Sequence, residues 1–116
     1  MNDPLNAVVL LFSYGTLQDK AVQMANFGRH LKGRPDALLG HALLPITIDD
    51  PAVVALSGKS QHMIAKHSHA GAEVPGMVFE VTAEELAAAD RYEVSDYRRV
   101  LATLKSGAQA WVYVGA

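Results

Sequence analysis

Ala7-Val8-Val9-Leu10-Leu11-Phe12 is an unbroken apolar run, carried on by Ser13 and Tyr14 to the turn Gly15-Thr16. A run with no wet face predicts a strand over 7–14 that is covered on both sides, at the centre of a sheet. A helix is expected next from about Gln18 to Leu31, after which Gly33, Pro35 and Gly40 punctuate a loop. Residues 41–49 read as extended and are broken by Pro51. The short apolar stretches 52–57 and 61–66 predict two strands joined around Gly58, and 67–73 reads as a loop. Met77-Val78-Phe79-Glu80-Val81 predicts a strand that runs into a helix start.

That start has two signals. Thr82 can cap the helix, and Glu85 three residues on completes a capping box. Leu86, Ala89 and Glu93 then recur at helical spacing, and seven steps of about 100° bring Glu93 back to within roughly 20° of Leu86. The tail reads as a hairpin: 97–104 and 109–114 flank Lys105-Ser106-Gly107-Ala108, with glycine where a tight turn needs a left-handed residue. Strands and helices do not alternate regularly, which disfavours a doubly wound parallel sheet. The expected fold is α+β: a small mixed, mainly antiparallel sheet curled towards a barrel, with two flanking helices.

Glu93 stands out because a carboxylate at the end of an apolar stripe is costly to desolvate unless something uses it. It is a candidate acid/base. The position also fits a last-turn glutamate in water, or one paired with Arg91, Arg98 or Arg99. A second candidate is Tyr14-Gly15-Thr16-Leu17, where free N–H groups at a helix start can cradle a carboxylate or phosphate. The same residues also fit a plain turn with Tyr14 buried, and they match no nucleotide-binding loop. Alternation along the hairpin puts Arg98 and Arg99 on opposite faces, so one of them could brace Glu93 or a substrate carboxylate. Tyr97 and Tyr113 read either as core aromatics with a polar tip or as ligand contacts.

The whole chain narrows these choices. Its 116 residues fit one domain, 1–116, and half are apolar with a formal net charge of −2. No basic face suggests nucleic acid. The opening apolar run is too short to span a membrane and lacks the flanks of a leader, and there is no cysteine, so a cytoplasmic protein is expected. His62, His67 and His69 cluster in sequence and raise a metal-hydrolase reading. Only Glu73 is a nearby carboxylate, which favours surface histidines and no metal.

Four segments together resemble the gamma-glutamylcyclotransferase-like (AIG2-like) family. They are Val9 to Leu17 with its YGTL loop, Val74-Pro75-Gly76-Met77-Val78-Phe79-Glu80-Val81, Ala89-Asp90-Arg91-Tyr92-Glu93 followed by Tyr97-Arg98-Arg99, and Trp111-Val112-Tyr113-Val114. The order matches over most of residues 8–114 and is weakest at 45–73. The chain departs from the pattern at Val94, where the family has glycine, and at Ala89, where it has leucine. The resemblance implies a small β-barrel with a cavity that holds the loop and the glutamate together. It further implies Glu93 as general acid/base and Tyr14, Gly15, Thr16 and Leu17 as the binder of a substrate α-carboxylate, with Tyr97, Arg99 and Tyr113 as further substrate contacts. The expected chemistry is cofactor-free release of 5-oxoproline from a small γ-glutamyl amide. The alternative is a non-catalytic module that binds a small molecule or a partner in the same cavity.

Overall fold

The computed structural model describes residues 8–116. Ala7, the expected first residue of the opening strand, lies outside them, as does the segment before it on which the expectation of no leader rests. Strand β1 (Val8–Ser13) is central and is covered on both faces towards its end. Leu11 points to one side, with Leu17, Val22, Phe79, Leu86, Ala89 and Tyr113. Phe12 points to the other, with Leu38, Val74, Val78, Leu104, Ala110 and Val112. The period-2 alternation of a strand therefore divides one apolar run between two cores.

A 3-10 turn (Thr16–Gln18) leads into α1 (Lys20–Phe27), and β2 (Gly33–Leu39) and β3 (His41–Thr47) follow. Next come α2 (Pro51–Ser57), β4 (Gln61–His67), β5 (Glu73–Thr82), α3 (Ala83–Tyr92), β6 (Tyr97–Thr103) and β7 (Gln109–Gly115). Five strands form a mixed sheet in the order β2-β5-β1-β7-β6, in which β1 and β7 run parallel and the other neighbours antiparallel. β3 and β4 pair as a separate antiparallel sheet of two. The edge strands β2 and β6 approach each other at one end, where an isolated bridge joins Leu38 to Leu104. Among the described residues the ladder does not close into a barrel. Among the described residues no helix is long and apolar enough to cross a membrane.

Three of the expected elements are corrected. The helix expected to run to Leu31 ends at Phe27, because Gly28 takes a left-handed conformation and its N–H caps the Met24 carbonyl. The stretch 52–57, read as a strand, is helix α2, a third helix beside the two expected. Pro51 occupies its first turn, the Asp50 side chain accepts from the Ala52 N–H, and left-handed Gly58 closes it. The expected loop around Pro35 is strand β2, which lies at the sheet edge and so tolerates a residue without an N–H donor.

Helix α3 carries the capping box in full. The Thr82 hydroxyl accepts from the Glu85 N–H at 3.1 Å, and the Glu85 carboxylate accepts from the Thr82 N–H at 2.9 Å. Thr82→Ala is expected to cost about 1 kcal/mol, seen as a lower denaturation midpoint at unchanged slope. An unchanged midpoint would show that the cap does not hold this helix.

Candidate active site

The helix ends at Tyr92, so Glu93 is its C-cap rather than a helical residue, and its N–H still donates to the Ala89 carbonyl at 3.0 Å. Its φ of −71° keeps a helical value while ψ swings to 138°. The side chain therefore leaves where the next helical residue's would, on the Leu86–Ala89 stripe, and only the chain beyond it turns away. Val94 follows without strain, since no described non-glycine residue has a left-handed backbone. Its side chain packs against the helix-side core.

Glu93 opens on a cavity of about 240 Å3. Its wall includes Tyr14, Gly15, Thr16 and Leu17 from the turn after β1, Tyr97 from β6 and Tyr113 from β7. The structure thus gathers seven of the eight residues singled out in the sequence around one hollow. Arg99 is the exception. Its Nε pairs with Asp90 Oδ1 at 3.0 Å and its guanidinium lies 4.5 Å from the Trp111 ring centroid, so it braces the helix end instead of reaching the hollow. None of the ion pairs among the described residues involves Glu93.

Burial without a compensating cation sets the chemistry of that carboxyl. Desolvation alone raises the Glu93 pKa from 4.5 to about 7. The tyrosines around it remain protonated donors. Burial is the main cause at each, and the Glu93 charge adds to it. Tyr14 is pushed up to about 12, although the Ala65 amide that bonds its oxygen works the other way. The protons of three are already directed: Tyr14 to the Tyr113 carbonyl at 2.6 Å, Tyr97 to the Met63 carbonyl at 2.8 Å, and Tyr113 to Asp90 Oδ1 at 2.7 Å. The fourth, Tyr92, shares a 2.8 Å hydrogen bond with the Thr16 hydroxyl.

The turn is built for close approach. Among the described residues the Gly15 N–H reaches only the Ser13 hydroxyl, at 3.2 Å, and its carbonyl accepts from the Gln18 N–H and side-chain amide. Thr16 and Leu17 begin the 3-10 turn, where backbone N–H groups have no intrahelical acceptor. Leu17 anchors the turn by burying its side chain in the helix-side core.

The lining also includes Lys59, from the segment joining α2 to β4, and Gln61, His62 and Met63 from the start of β4. In the sequence His62 carries only the metal-ligand reading, and Lys59, Gln61 and Met63 carry no site signal when 52–57 is read as a strand. The Asp50-Pro51 start and Gly58 stop are the features that could have placed them. The histidines do not converge: His62 Nε2 lies 3.1 Å from the Lys59 carbonyl, whereas the His67 ring stacks on His41 at 4.6 Å. Among the described residues no group of three or more His, Asp or Glu side chains is placed to hold a metal ion.

The family described as Gamma-glutamyl cyclotransferase, AIG2-like, matches residues 11–116. No curated protein matches the chain. Among solved structures the chain is similar to two Arabidopsis thaliana proteins determined in solution. The first, at 21% identity and a TM-score of 0.69, is matched over 99% of this chain and 66% of its own. The second, also at 21% identity, has a TM-score of 0.72 over 93% of this chain and 68% of its own. An uncharacterized protein from Pyrococcus horikoshii aligns at 21% identity and a TM-score of 0.63, over 92% of this chain and 77% of its own. The chain therefore spans just under two thirds of the length of the first of these, and at such identities the likeness is one of fold.

Proposed function

The chain belongs to the Gamma-glutamyl cyclotransferase, AIG2-like family, and from that premise we propose that it is a single-domain, cytoplasmic enzyme releasing 5-oxoproline from a small γ-glutamyl amide. What supports this reading above all is Glu93, a half-buried carboxyl whose pKa is pushed up to about 7, on the wall of the cavity that also holds the Tyr14–Leu17 turn. The turn's N–H groups bind the substrate's α-carboxylate. Glu93 takes a proton from the α-ammonium, and the freed amine attacks the γ-carbonyl carbon to form the ring C–N bond. Protonated Glu93 then gives the proton to the leaving nitrogen as the old amide bond breaks. The ring nitrogen sheds its second proton to the departing amine, so the products are 5-oxoproline and an ammonium ion, and Glu93 ends ionised as it began.

Nucleophile and electrophile belong to one molecule, so the protein's task is to fold the substrate until they meet. The raised pKa matters here. An ordinary glutamate near 4.3 is a weak base towards an α-ammonium near 8, whereas a carboxyl near 7 leaves a gap of about one pKa unit. Tyr97 and Tyr113 shape the wall, while Arg99 acts from behind by holding Asp90, which in turn accepts the Tyr113 proton.

The test is a panel of γ-glutamyl amino acids, γ-glutamyl-ε-lysine and γ-glutamyl amines incubated with the protein and assayed for 5-oxoproline. Release from at least one is expected. Ligand binding throughout the panel with no 5-oxoproline would replace the enzyme with a non-catalytic binding module.

A further inference from the structure

Tyr92 is outside the cavity wall, yet it is tied to both halves of the proposed machinery. Its ring is buried in the helix-side core with Leu86 and Ala89, 7% exposed. Its backbone continues directly into Glu93. Its hydroxyl meets the Thr16 hydroxyl at 2.8 Å across 76 residues of sequence. Among the described residues this is the one hydrogen bond joining the turn to α3.

We infer that Tyr92 is a positioning residue whose bond to Thr16 sets the gap between the carboxylate-binding turn and Glu93. The inference rests on the reading of the cavity as a γ-glutamyl site. In the proposed reaction the Thr16 N–H serves the substrate carboxylate while its hydroxyl meets Tyr92, so a single residue carries both contacts. Without the bond, the 3-10 turn keeps its Leu17 anchor but loses its tether to the end of α3. Cyclisation needs the amine, the γ-carbonyl and the carboxyl within about half an ångström of their reacting positions, and a misplacement of about 1 Å costs up to 10²-fold. Ground-state binding through backbone amides is less demanding. Loss of the tether therefore appears in kcat more than in KM.

The experiment is a double-mutant cycle on the full chain, with 5-oxoproline release as readout. Tyr92→Phe keeps the ring volume, and Thr16→Val and Thr16→Ser remove and keep the hydroxyl. Tyr92→Phe and Thr16→Val are each expected to lower kcat roughly tenfold with KM changed less than about threefold, and Thr16→Ser recovers most of the kcat that Thr16→Val loses. The two deletions combined are expected to cost no more than one of them, because they remove the same bond. Additive losses approaching a hundredfold, a wild-type kcat in Tyr92→Phe, or a Thr16→Ser loss equal to that of Thr16→Val would each overturn the inference and leave the proposed reaction standing. A wild-type protein that turns over none of the panel removes the proposed reaction itself, and this inference with it.

Discussion

Glutamine in place of Glu93 is expected to cut 5-oxoproline release by about 10²–10⁴-fold and, at the same time, to make the protein harder to unfold above pH 7. Both effects have one cause. The folded chain holds the Glu93 proton up to about pH 7, whereas the unfolded chain releases it near 4.5. Between those values the folded state binds more protons than the unfolded state, so stability falls as pH rises. Below about pH 4.5 both states are protonated and the carboxyl costs nothing. Above about pH 7 the folded state carries the full desolvation cost of the charge, on the order of 3 kcal/mol. Glutamine cannot ionise, and its buried amide returns part of that gain, so Glu93→Gln should be roughly 2 kcal/mol more stable at pH 8. Little difference should remain at pH 4. Wild-type kcat/KM should fall tenfold per pH unit below about 7 as the base is protonated. Denaturant melts at the two pH values and a pH–rate profile check all of this. Wild-type turnover in Glu93→Gln would remove Glu93 from the mechanism, and equal stability gains at pH 4 and pH 8 would remove the buried charge as the cause.

The second large effect is a structural one. Gly76 lies in β5 opposite the end of β1, and a Cβ there would collide with the Ser13 carbonyl and come within 2.7 Å of Phe12 Cζ. Backbone cannot retreat as a flexible side chain can, so the two central strands must separate. Gly76→Ala is expected to cost about 3 kcal/mol and to lower Tm by about 10 °C. Ser13 and Phe12 also line the cavity, so turnover should fall even at temperatures where the variant is folded. Gly71→Ala is the control: it meets nothing closer than His69 at 3.5 Å and should leave Tm within about 2 °C. A Gly76→Ala variant melting with the wild type would show that β1 and β5 are not packed so closely.

The features legible in the sequence were those whose local and long-range signals agreed. The opening run lacked a polar face, and β1 is central. Thr82 and Glu85 spelled the α3 start, and Gly107, with φ of 92°, closed the final hairpin. The errors arose where two signals competed. In Ala52-Val53-Val54-Ala55-Leu56-Ser57 the β-branched pair argued for a strand. Asp50, Pro51 and Gly58 argued for a helix and prevailed, because caps at both ends outweigh a weak side-chain preference. Pro35 looked like a loop residue because its edge position is a property of the sheet, which no local pattern reveals. The same limit applies to the site. Periodicity could single out Glu93 and the turn, but Arg99 was displaced from the hollow by a partner, Asp90, that only the assembled fold supplies. Lys59 carries no signal, and His62 only that of a metal ligand, for the related reason that the period of 52–57 hides the helix that brings them to the hollow.

One phenol does a job that backbone does elsewhere. Tyr14 accepts from the Ala65 amide of β4 at 3.0 Å and donates to the Tyr113 carbonyl of β7, standing in for a missing rung between two ladders that share none. Swinging the two-stranded β3-β4 sheet outward would strand the buried Ala65 amide and the Tyr113 carbonyl at once. The wall of the hollow is therefore pinned to both sheets at once through Tyr14.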